Sequence, residues 1–266
     1  MTNNIESIRK KNFFLYLNGL NFSSPFLSNF VLENVYQSSK IYGCEFSFEE
    51  VKNFILAGET SSEKDFFDYI VIQNIYNAAI WFYNQFNTNF EVALQTIIKL
   101  NSIVLQGIEF RVKEKKNFSV RTKIVKGDLR KEHLDLVKNN TMEREKKYSA
   151  LKTEMQNMLT KFHYIQKPTL EQITTFFGTF LKIHPFDMGC GRTLRILINY
   201  FFMKADYPLI SFDYDDKNIF QEAIENFIDN GNIDKLLSYF QKRLEIAALS
   251  FEEGLKKHNT KSNNTN

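Results

Sequence analysis

Two apolar stripes flank one short connection in this chain. Ile173, Phe176, Phe177, Phe180 and Leu181 recur at i, i+3, i+4, i+7 and i+8, and Leu194, Leu197, Ile198, Phe201 and Phe202 repeat that pattern. Each set falls on one face of a helix with 3.6 residues per turn, so each predicts a buried face. Pro168 followed by Thr169-Leu-Glu-Gln172 is a capping box and starts the first helix. Between the stripes lies Ile183-His-Pro-Phe-Asp-Met-Gly-Cys-Gly-Arg-Thr-Leu-Arg195. Any fold available to the chain must bury both faces and still make this tight turn.

The rest of the sequence supplies further helices. Residues 25–39 carry Phe26, Phe30, Leu32 and Val35, and Gly43 can end that helix. Ser47-Phe-Glu-Glu50 opens a short helix to about Leu56, and Ser62-Glu-Lys-Asp65 opens a longer one to about Phe86. Residues 90–106, 141–163, 217–229 and 232–254 are also helical in pattern. The exception is Asn117–Gly127, which alternates and is β-branched, so it predicts a strand or hairpin. With only 4 Pro and 10 Gly in 266 residues, few tight corners are available, which favours helices, and 27 Phe and 12 Tyr give ample core material. The expected fold class is mainly α: a helical bundle with a short β-hairpin and an N-terminal helical extension. The expected divisions are an extension over residues 1–90, a core with C-terminal helices over 91–254, and a polar, disordered tail over 255–266.

Charge and cysteine usage exclude several classes. The net charge of +3 is too small to argue for nucleic-acid binding. The lysines and arginines between Arg111 and Lys131 are read as a solvated loop. Cys44 and Cys190 form no disulfide framework and have no metal-ligand spacing. The chain has no apolar run long enough to span a membrane, and Met-Thr-Asn-Asn-Ile-Glu lacks the features of a signal peptide. The expected location is therefore a cytoplasm, although export by a route without a cleaved signal would leave no trace. A homo-oligomer is compatible with the sequence.

The connecting stretch has chemistry of its own. His184 lies at i+11 from Ile173 and extends the inward stripe to the end of the helix. Pro185 stops that helix. Gly189 and Gly191 let the backbone turn and expose its N–H groups. The next helix begins near Gly191, and the N–H donors and positive dipole end of its first turn make an anion site. Arg192 and Arg195, three apart, place two guanidinium groups beside that turn, suited to phosphate oxygens. A neutral His184 imidazole can take a proton from an attacking hydroxyl. The combination suggests hydroxyl attack on a phosphate.

The stretch "HPFDMGCGRTLR" resembles the Fic signature, His-x-Phe-x-(Asp/Glu)-Gly-Asn-Gly-Arg-x-x-Arg. His184, Phe186, Gly189, Gly191, Arg192 and Arg195 match it. "FSVRTKIV" resembles the hairpin flap that precedes the signature in that family, and "SSKIYG" resembles the inhibitory motif of one Fic class. The resemblance spans residues 25–245 and is sharp only at the signature. It implies a mostly α-helical Fido fold and transfer of AMP from ATP to a Ser, Thr or Tyr hydroxyl of a target protein or of the chain itself. On that basis His184 is the general base. Backbone N–H groups at Gly189, Cys190 and Gly191 cradle phosphates, Arg192 holds the β-phosphate and Arg195 the γ-phosphate. Val120, Arg121 and Thr122 of the flap align the target by main-chain pairing.

Three positions depart from the family pattern. The acid that binds Mg²⁺ in the family falls on Met188, whose thioether is a poor ligand for a hard ion, which leaves Asp187, one residue early, as the candidate metal ligand. The signature asparagine falls on Cys190, which is read as a small residue that fits the turn. In the inhibitory motif, Ser38 and Gly43 are kept, but the glutamate that pairs with the second arginine is Tyr42. The competing expectation is a degenerate Fic fold that binds nucleotide or a protein partner without catalysis.

Overall fold

Helices start where side chains satisfy the first free N–H groups. The computed structural model describes residues 25–86, 90–115, 118–124, 126–130, 141–163 and 165–263. Residues 1–24, 87–89, 116–117, 125, 131–140, 164 and 264–266, on which parts of the sequence readings above fall, lie outside these. The described residues hold nine helices and one hairpin: α1 (Pro25–Tyr42), α2 (Phe48–Ala57), α3 (Phe66–Tyr83), α4 (Leu94–Val104), β1 (Phe110–Lys115), β2 (Phe118–Lys123), α5 (Thr141–His163), α6 (Leu170–Ile183), α7 (Cys190–Lys204), α8 (Lys217–Asn230) and α9 (Asp234–Asn263). Ser47 and Thr169 complete the capping boxes expected of them. For α3 the cap is Asp65, whose carboxylate accepts from the Phe67 N–H, and not Ser62. The residues before Asp65 are held in a turn instead, where Ser61 accepts from the Glu63 N–H.

The core organises around α7, which packs against α3, α4 and α6. Its stripe is wider than the spacing predicts: Ile196, Asn199, Tyr200 and Met203 are buried along with Leu194, Leu197, Ile198, Phe201 and Phe202. A helix enclosed by three others must be apolar nearly all round. α6 is one-sided, and behind it α8 and α9 close the bundle. Gly178 of α6 lets α8 approach closely, since a Cβ there would lie 2.5 Å from the Phe227 ring. On the other side α1 packs against α2 and α3 and buries Val31, Leu32 and Val35. One hydrophobic cluster joins Val31 and Val35 to residues of α7 and α9.

β1 and β2 pair antiparallel, with Val112 opposite Arg121 and Lys113 opposite Val120. The first strand lies upstream of the alternating stretch, so the sequence pattern revealed only the second. α9 continues to Asn263, beyond the boundary at 254 and into the expected disordered tail. Once a helix is nucleated by a packed segment, adding lysine-rich turns carries no further nucleation cost. Among the described residues no helix is long and apolar enough to cross a membrane.

Candidate active site

The α6–α7 connection is shaped by two residues with positive φ. His184 ends α6 at φ 49°, ψ 64°, and its N–H bonds the Phe180 carbonyl at 2.9 Å. This left-handed turn takes His184 off the helical period. Instead of continuing the inward stripe, the residue is exposed. Phe186 is fully buried, close to Phe180, and anchors the turn to the core. Gly189, at φ 81°, starts α7. A Cβ at this glycine would lie 2.9 Å from Asn101 Nδ2 and on a backbone that side chains rarely adopt.

Two side chains fasten this loop. Asn101, buried in α4, donates through Nδ2 to the Met188 carbonyl at 3.0 Å and to Thr193 Oγ1 at 3.1 Å. It thereby ties the loop to the first turn of α7. Sequence reading missed it, because within the α4 apolar pattern it is simply a polar residue on a buried face. Cys190 works from inside the loop: its Sγ accepts from the Phe186 N–H and donates to the Phe186 carbonyl, both at 3.3 Å. Burial pushes this thiol up to about 12, so it stays protonated and is no nucleophile at neutral pH. Only the backbone N–H of Cys190 is left to serve a phosphate.

The first turn of α7 has no side-chain cap and no acidic residue. Its free N–H groups are joined by the two arginines, Arg192 buried and Arg195 half-buried. Arg192 is 3% exposed, and both terminal nitrogens of its guanidinium are buried without a hydrogen-bond partner. The guanidinium carbon lies 4.2 Å from the centre of the Tyr42 ring. Arg195 donates from Nε and Nη2 to Ser38 Oγ at 3.0 and 2.9 Å. The motif-like residues Ser38 and Tyr42 of α1 thus meet the two arginines, while Gly43, at φ 116°, provides the turn after the helix. Burial lowers the pKa of Arg192. It also lowers that of Arg195, where the nearby Arg192 charge adds to the effect. Both retain their charge at neutral pH, because guanidinium starts so high. Among the described residues neither pairs with a carboxylate.

An uncompensated guanidinium held out of water costs several kcal/mol, of order 3–5 when its partner is missing. With the uncapped helix start, it defines a site short of negative charge, suited to phosphate oxygens. A divalent cation fits less well. Asp187 is mostly buried with Oδ2 shielded from solvent, and its half-buried neighbour Met188 offers only a thioether. Among the described residues no three His, Cys, Asp or Glu side chains are grouped for a metal. The residues present do not fit a protein-held Mg²⁺.

The segment holding this site is recognisable in other proteins. Residues 91–202 match a family model described as Fic/DOC family. No curated protein matches the sequence significantly. Among solved structures, a Fic domain-containing signaling protein from Bacteroides thetaiotaomicron aligns with a TM-score of 0.69, over 92% of this chain and 94% of that one, at 18% identity. Fic-1 from C. elegans gives 0.68 over 96% of this chain and 72% of that one, at 16% identity. A Fic family protein from Desulfovibrio desulfuricans gives 0.65, over 95% and 74%, at 12% identity. These identities speak to the fold alone. The matched residues take in α4, the hairpin, α5, α6, the signature-like loop and nearly all of α7, and over them the chain is similar to the Fic/DOC family.

Proposed function

We propose that this chain is a protein adenylyltransferase that moves AMP from ATP to a hydroxyl of a target protein or of itself. The observation that carries the reading is Arg192, a buried guanidinium with no hydrogen-bond partner at its tip, beside an uncapped helix start. The N–H groups of Cys190 and Gly191, with Arg192 and Arg195, would hold the phosphates. His184, exposed at the rim, would take the proton as the hydroxyl oxygen attacks the α-phosphorus and pyrophosphate leaves. Fixed donors aimed at developing charge, and correct placement of the hydroxyl, would supply most of the acceleration. Val120, Arg121 and Thr122 lie in β2, which pairs only with β1 among the described strands, so its other edge could pair with an extended target segment.

Incubation with ATP labelled at the α-phosphate tests the proposal. The wild-type protein should label a protein acceptor or itself, and His184→Ala should lose about two to four orders of magnitude. Equal labelling by both proteins would overturn it. One observation favours a second reading, a nucleotide-binding module without turnover: Met188 and a buried Asp187 give no good metal ligand. Calorimetry separates the two, because heat of ATP binding without any transfer supports the second.

A further inference from the structure

The geometry points to Arg130 as a positioning residue for His184, an inference that rests on the transfer reaction proposed above. Arg130 lies between β2 and α5, in a stretch where no motif matched. Its backbone N–H donates to the Pro185 carbonyl at 2.8 Å, and its guanidinium Nη2 reaches the Ile183 carbonyl at 3.4 Å. One residue therefore holds the backbone on both sides of His184. The residue between those two carbonyls is one of two non-glycine residues with positive φ among those described. A side chain on left-handed backbone persists where its surroundings hold it there.

Arg130 is itself well anchored. Leu129, beside it, is fully buried, and Asp128 accepts a hydrogen bond from Tyr148 of α5. Ile124, just past β2, donates its N–H to the Glu109 carbonyl at 2.9 Å, which fixes the base of the hairpin. The stretch around Arg130 thus links the hairpin, α5 and the His184 turn. An apolar side chain would be a better plug, because Arg130 Nε is buried without a hydrogen-bond partner. What the guanidinium adds is its grip on the Ile183 carbonyl. Through that grip the base is set in register with the hairpin that would present the hydroxyl.

Arg130→Met keeps the backbone bond and removes the side-chain one. Arg130→Lys keeps a donor that can reach the same carbonyl. In the full-length protein, Arg130→Met should lower kcat by about ten- to a hundredfold. It should leave KM for ATP and the calorimetric ATP affinity within about twofold, since the phosphate-binding groups are untouched. Arg130→Lys should recover part of the lost rate. Matching losses in kcat, ATP affinity and melting temperature in both variants would make Arg130 a merely structural residue and overturn the inference, as would an unchanged kcat. A crystal structure of either variant gives a readout independent of turnover. His184 should leave its left-handed φ in Arg130→Met, and retention of φ near 49° there would overturn the inference even if the wild-type protein transfers nothing.

Discussion

Cys190 shows how one side chain can change role without changing place. In the Fic signature the position holds an amide. Here a thiol returns both bonds to Phe186 and holds the turn closed from within. The other cysteine, Cys44, is also buried, and burial pushes its thiol up to about 12 as well. Both values lie above the ordinary 9.0, so below pH 9 the thiols are protonated in folded and unfolded chains alike and contribute their full stability. Above pH 9 the unfolded chain releases these protons while the native one keeps them, and stability falls until about pH 12. Urea midpoints measured from pH 8 to 11 should decline, and a Cys44→Ala, Cys190→Ala double variant should decline less steeply. Equal slopes would mean that the thiols are not the source. The sequence shows which residue types occupy the signature. It does not show that Arg192 is buried or that Asn101, far away in the chain, grips the Met188 carbonyl, because both depend on which helices enclose α7.

At the level of elements, α6 meets α8 tightly at Gly178, where a Cβ would lie 2.5 Å from the Phe227 ring. An alanine would gain helix propensity worth about 1 kcal/mol. Its Cβ would also have to displace the middle of the Phe227 ring, not a flexible tip. We expect the clash to win, so that Gly178→Ala loses about 1–3 kcal/mol in chemical denaturation. Phe227→Leu, made in the same background, should restore part of that loss. The helices themselves were legible in the sequence, since their apolar periods and the capping residues Ser47 and Thr169 are local signals. Asp65 was missed as a cap because Ser62 starts an equally good pattern three residues earlier, and the choice between them was made by the turn before α3. The His184 turn was misread for a related reason. A helical period describes a residue only while the backbone stays helical, and a left-handed φ ends that.

Across the whole molecule, α1 joins the core to the candidate site. Its apolar side puts Val31 and Val35 in the common cluster, and its polar end meets both arginines. The two meetings differ in kind. Tyr42 lays its ring over the Arg192 guanidinium carbon and leaves both terminal nitrogens without a hydrogen bond, whereas Ser38 occupies in-plane donors of Arg195. An arriving phosphate needs those in-plane donors. The ring and the hydroxyl should therefore couple to ligand binding with opposite signs, although they sit one helical turn apart. Ser38→Ala removes both bonds to Oγ but leaves Nη2 its contact with the Ser38 carbonyl, so it should tighten ATP binding about fivefold, a net worth of about one ordinary hydrogen bond. Tyr42→Ala should weaken it by a similar factor, the worth of a partly exposed cation–π contact. Calorimetric titrations of the two variants decide the point, and a shift of the same sign in both would refute it. Linkage is reciprocal, so bound nucleotide must pull on α1 through Ser38 as strongly as Ser38 resists the nucleotide. The docking strength of the first helix then becomes a gauge of site occupancy that can be read at a distance, for instance by amide exchange along α1 with and without ATP.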